Sequence, residues 1–197
     1  MNHIRLQYYH KNNRDIQTLK DAELIRQFSI VRSNLYKIII GQAVVETLDK
    51  STPENNSFPI LYRLVWRILD KMNNTEENHW IVFSFYLYQL SLRLGFKPNL
   101  QTCGHCQSII SHAFIDDNTG ELICQKCTPK GALHLNNNNL IFLQNLENLH
   151  LDDIDSDIND TAALYNTLRY LDKFTCFHIE GMNKVRSMDM VQKLLEQ

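Results

Sequence analysis

Two pairs of cysteines, Cys103-Gly104-His105-Cys106 and Cys124-Gln125-Lys126-Cys127, lie seventeen residues apart and form the chain's clearest chemical constellation. Four thiolates in two CxxC pairs match the soft, tetrahedral coordination that Zn²⁺ prefers, and four protein sulfurs leave no position open for a substrate. The expected centre is therefore closed and structural. Each CxxC is predicted to curl into a tight turn with backbone N–H groups aimed at sulfur, and Gly104 to relieve the strain of the first turn. Two disulfides would require an oxidising compartment, whereas Met1-Asn2-His3-Ile4-Arg5 opens no signal peptide. A dithiol redox site would place a single CxxC at a helix start within a βαβ unit, a pattern neither pair shows. An iron–sulfur cluster is also compatible with four cysteines. His105 and His112 compete as ligands but are expected to stand outside the four-sulfur set, and Cys176 reads as a small buried hydrophobe.

The elements that must carry these turns follow from periodicity. Ala113-Phe114-Ile115 and Glu121-Leu122-Ile123 flank the turn residues Asp116 to Gly120 and predict a β-hairpin between the two cysteine pairs, in a metal module of about residues 97–133. A module this small lacks a core of its own, so the ion would substitute for one. Upstream, Ile4 to Tyr8 alternates like a strand. From Asp21 the spacing of Leu24, Phe28, Val31 and Leu35 predicts a helix that continues through Ile38, Ile39, Val44 and Leu48. Further helices are predicted over about Pro59 to Met72, Trp80 to Leu94 (closed by Gly95), Thr161 to Thr175 and Met188 to Leu195. The asparagines Asn136 to Asn139 and the acidic residues after them read as a connection. The aromatic residues fall at helical intervals among leucines, which assigns them to a core rather than to a base-stacking platform.

Composition agrees with a mainly α fold. The 197 residues are 44% hydrophobic with only 6 Gly and 4 Pro, and no apolar run approaches a membrane span. The net charge of −2 is unevenly spread: residues 131–168 hold six acids and no Lys or Arg, leaving the remainder net positive. Attraction to nucleic acid would therefore have to come from a local patch. The stretch from Asp153 to Leu164 is not an EF-hand, because Ile158 and Leu164 occupy the positions that need glycine and a bidentate glutamate. No phosphate-binding loop, HExxH or GxSxG motif is present, and His79, His134, His150 and His178 show no pairing that suggests catalysis. The chain is expected not to be an enzyme.

The order of helices, Leu94-Gly95-Phe96 with Pro98-Asn99-Leu100, CxxC, hairpin, Thr119-Gly120-Glu121, CxxC, and helices ending around Arg186-Ser187 resembles the bacterial recombination mediator family RecO. Leu6 to Lys11 and Arg14 to Leu19 resemble the last strand of that family's N-terminal OB-fold, a five-stranded barrel whose face and loops bind single strands, and its exit. The resemblance implies an OB-fold remnant over residues 1–19 and a helical domain over 20–197 with the zinc module inserted. It also implies a cytoplasmic protein of recombination and repair that binds single- and double-stranded DNA. The implied partners are RecR, RecF and single-strand-binding protein, and the implied role is to help load recombinase.

In that reading Cys103, Cys106, Cys124 and Cys127 fix the hairpin to the helical body. Lys97, Lys126 and Lys130 form a cationic rim toward nucleic acid, while Lys184 and Arg186 are candidates for partner contact. The alternative from another class is a zinc ribbon that tethers RNA or a transcription partner.

Overall fold

The computed structural model describes residues 1–53, 56–74, 78–154 and 161–195. Asp155, Asp157 and Asp160 of the acidic stretch therefore lie outside the described residues. The order of elements is β1 (Asn2–Tyr9), β2 (Thr18–Gln27), α1 (Ser29–Ser33), α2 (Leu35–Ser51), α3 (Pro59–Asn74), α4 (His79–Arg93), β3 (Ala113–Ile115), β4 (Leu122–Ile123), β5 (His134–Leu135), α5 (Asn137–Asn148), α6 (Thr161–His178) and α7 (Arg186–Leu195). The protein is mainly helical, with two small antiparallel sheets.

α4 is the centre of the body. Every residue from Ile81 to Ser91 is buried, so this helix is packed on all sides and needs internal partners for its polar groups. Ser84 and Ser91 donate to the carbonyls of Trp80 and Leu87, at 2.9 and 3.0 Å. Tyr86 donates to the Val44 carbonyl at 2.9 Å and meets the Thr47 hydroxyl at 2.6 Å, tying α4 to α2. Burial drives the Tyr86 phenol well above its ordinary pKa. The helix ends as the sequence predicts: Gly95 takes φ +91°, while the Phe96 and Gly95 N–H groups bond back to the carbonyls of Ser91 and Leu92 at 2.9 and 3.1 Å.

Two elements differ from the sequence reading. The helix predicted from Asp21 is a strand as far as Gln27: β2 pairs antiparallel with β1, and Ile4 opposes Leu24. The long-range ladder overrides a stripe at Leu24, Phe28 and Val31 that also fits a helix. The helical part begins only at Ser29 and is interrupted at the extended Asn34, whose side chain accepts the Lys37 N–H at 3.0 Å and caps α2. The hairpin is anchored at its base by an Arg26–Asp70 ion pair at 2.6 Å and by a contact between His3 and Tyr62, while most of its length is exposed.

The second difference is α5, which begins within the asparagine run. Asn136 and Asn139 form a reciprocal capping box, each side chain accepting the other's backbone N–H at 2.9–3.0 Å. The Asn139 amide also donates to the Ala163 carbonyl at 2.7 Å, which locks α5 to α6. Leu140, Leu143 and Leu146 then bury one face of the helix.

Candidate metal centre

The first cysteine pair lies before β3 and the second after β4, so pairing Phe114 with Ile123 and Ile115 with Leu122 returns the chain to bring the pairs together. β5 adds on the other side of β3 through Ala113 and Leu135, giving the sheet order β4-β3-β5. The predicted hairpin is thus two strands of a three-stranded ribbon with β3 at its centre. In the first knuckle the Gln107 N–H returns to the Cys103 carbonyl at 2.9 Å; in the second, Cys127 returns to Cys124 at 3.0 Å.

All four Sγ atoms lie within 4.8 Å of one another, and Cys106 and Cys124 approach to 3.6 Å. A tetrahedron with metal–sulfur bonds of about 2.3 Å has edges of about 3.8 Å, so the donor set fits zinc. A disulfide needs about 2.05 Å between sulfurs, and all four cysteines are free. The Cys124 N–H points at Cys103 Sγ at 3.2 Å, the orientation expected for stabilising a thiolate. Cys103 is fully buried and Cys106 exposed, placing the centre at the edge of the module. Backbone donation from Cys127 lowers the Cys124 pKa to about 6, whereas hydrogen bonding with the Cys106 and Cys124 sulfurs pushes Cys127 up to about 12.

Gly104 has a different role from the one the turn suggested. Its φ is not positive; the left-handed residue of the knuckle is Gln107, at φ +60°. A Cβ at Gly104 would instead strike the Glu121 carboxylate, so this glycine makes room for the facing strand end. His105 turns away from the sulfurs: its Nε2 lies 2.8 Å from Asp116 Oδ2, and His112 packs edge-on to His134. Donation from the Asn118 N–H, with His105 contributing, holds the Asp116 carboxyl below its ordinary range.

The module is docked on α6. Lys173 pairs with Asp117, and Gly120 comes so close that a Cβ there would lie 3.3 Å from the Lys173 carbonyl. Lys97 lines the cleft between ribbon and body but is paired with Glu147 of α5. Lys126 sits on the exposed turn between Cys124 and Cys127, and Lys130 is exposed beyond it. Lys184 and Arg186 lie together elsewhere, in a shallow depression with Glu46, Lys50 and Asp189 whose charges are mixed. Cys176 is half-buried against Asp172, and burial pushes its thiol to about 12.

The class of protein is thus a helical body that carries, between its fourth and fifth helices, a ribbon whose four cysteines could hold a metal ion. The match to the family described as "Recombination protein O C terminal" spans residues 32–187, and the chain belongs to that family. It is similar to the DNA repair protein RecO of Listeria monocytogenes serotype 4a (strain HCC23), at 25% identity over 91% of this chain and 72% of the relative. The proteins of the same name from Bacillus pumilus (29% identity, 60% of this chain, 46% of the relative) and Prosthecochloris aestuarii (28%, 52% and 39%) are also similar. No helix among the described residues is long and apolar enough to cross a membrane.

Proposed function

We propose that this chain is a non-enzymatic mediator of DNA repair and homologous recombination. It acts in the cytoplasm at the nucleoid and helps load recombinase onto single strands coated by single-strand-binding protein, with RecR, and RecF where present, as partners. Membership of the RecO family carries this reading. The segment 1–19, together with the rest of the β1–β2 hairpin to Gln27, is assigned to an OB-fold remnant, and the chain from α1 onward to the helical domain.

The four sulfurs would hold Zn²⁺, whose chemistry here is structural: it neutralises clustered thiolates and closes the ribbon. Cys103 and Cys106 would grip it from the turn that precedes β3, and Cys124 and Cys127 from the turn leaving β4. The ribbon then presents Lys126 and Lys130 to DNA, with Lys97 at its base. Lys184 and Arg186 are assigned to protein contact, although the nearby Glu46 and Asp189 offset part of their charge.

The test is recombinase loading on strands coated with single-strand-binding protein, with purified chain and RecR. Faster filament formation than with RecR alone supports the reading. No acceleration, together with failure to restore ultraviolet survival to bacteria lacking their own RecO, overturns it.

A further inference from the structure

Away from the ribbon, where the C-terminal end of α5 meets α3 and α4, lies a groove of about 600 Å³ lined by Arg63, Arg67, Arg93, Leu64, Phe85 and Leu149 among others. Arg63 and Arg67 stand one turn apart on α3, so their side chains leave the same face about 5–6 Å apart. Both are exposed. Arg93 projects from the last turn of α4 and donates to the Gln89 carbonyl at 3.0 Å. Burial and then the Arg67 charge lower its pKa, as expected of two guanidiniums that share a space. The Arg63 side chain has neither an ion pair nor a hydrogen bond among the described residues.

The groove's negative charge is already committed. Glu147 is paired with Lys97. Asp152, on the short turn that follows α5, accepts from Arg67 at 2.9 Å through its carboxylate and from Lys71 at 3.4 Å through its carbonyl. Leu64, Phe85 and Leu151 are buried by the chain itself, at 6, 5 and 4% exposure. The floor is thus closed, and what a ligand meets is the three arginines, with Ile60 exposed and Leu149 half-exposed beside them. An acidic peptide would look for an enclosed apolar socket for its anchoring side chain, whereas Leu64, Phe85 and Leu151 are buried by the chain itself and the exposed Ile60 stands beside the arginines rather than beneath them as a closed pocket.

We propose that the Arg63–Arg67–Arg93 groove binds the phosphodiester backbone of a single-stranded nucleic acid, and that Asp152 is an internal carboxylate holding part of the site. Guanidinium forks match phosphate oxygens in pairs, and an exposed helical row of cations follows a strand without reading its bases. The inference rests on the DNA-directed reading above, but it places the contact on α3 and α4 rather than on the ribbon lysines.

The experiment titrates the full chain into a fluorescent oligothymidylate across about 50 to 200 mM salt. Three phosphate contacts predict a slope of log affinity against log salt of about −2. Arg63→Glu, at a side chain without a polar partner among the described residues, should keep the helical circular dichroism and metal content, weaken binding about tenfold at low salt and flatten the slope by about 0.7 or more. Arg93→Gln should act in the same direction, and Asp152→Asn should tighten binding about threefold. If these variants bind like the parent while Lys126→Gln with Lys130→Gln weakens binding, the groove is not the site and the ribbon reading stands. If an oligoglutamate peptide binds with the same Arg63 dependence and more tightly than the oligonucleotide, the groove is a protein site and the inference is overturned. Absence of any oligonucleotide binding at low salt also overturns it, leaving the repair reading to the loading assay.

Discussion

Glu46 of α2 caps α7 across 141 positions of sequence: Ser187 donates to its Oε2 from both the backbone N–H at 3.0 Å and the hydroxyl at 2.6 Å. The Arg186 N–H adds a third donor to Oε1 at 3.1 Å. The first turn of a helix has unpaired N–H groups and a partial positive charge, and here a carboxylate from another helix satisfies both. Glu46 thereby fixes the helix that closes the body against α2.

Glu46→Ala should destabilise the protein by about 1–2 kcal/mol, the usual cost of losing a helix cap. The Ser187 hydroxyl, then the backbone donors, hold the Glu46 carboxyl below its ordinary pKa. A lowered folded-state value means stabilisation that is present above the unfolded value and lost as pH falls through the folded one. Urea unfolding from pH 7 down to about pH 3 should therefore show parent and variant converging in acid. A constant gap would contradict this.

Gly120 combines φ +68° with a close approach to α6, where a Cβ would lie 3.1 Å from Phe177 Cβ and 3.3 Å from the Lys173 carbonyl. Gly120→Ala adds left-handed strain of about 1–2 kcal/mol and pushes the ribbon off the helix. The expected result is a lower unfolding midpoint together with faster alkylation of Cys124 and Cys127. A shifted midpoint with unchanged thiol reactivity would mean that the ribbon is not held by this contact.

Asp172 of α6 is buried, receives the Gln192 amide and lies against Cys176. Burial raises its pKa, so its contribution to stability is fully present below the unfolded value of about 3.9 and is lost as pH rises through the folded one. Asp172→Asn keeps the shape without the charge. It should match the parent near pH 3.5 and exceed it by about 1 kcal/mol at pH 8, measured by urea unfolding. Equal stability at both pH values would show that the carboxylate carries no burial cost.

The cysteine spacing, the hairpin at Ala113–Ile115 and Leu122–Ile123, and helices α3, α4 and α6 were legible because each is encoded locally, in a repeat or a turn. β2 was not, since Leu24 fits either period and only pairing with β1 decides between them. α5 was hidden by asparagines that cap a helix but rank low inside one, although Leu140, Leu143 and Leu146 carried a helical stripe. The Arg63, Arg67 spacing was present in the sequence, but Arg93 and Asp152 join that pair only through the packing of α4 and of the short turn after α5 against α3. Glu46 had no local signal at all, because its partners lie at the other end of the chain.

The proposed grip of four sulfurs on one metal ion, which would fasten the ribbon to its helical base, can be read by elemental analysis together with native-state thiol alkylation. One zinc per chain is expected, with Cys103, Cys106, Cys124 and Cys127 protected until a chelator is added. Protein purified from zinc-replete cells that carries neither zinc nor iron, and whose four thiols alkylate as fast when folded as when denatured, would contradict it.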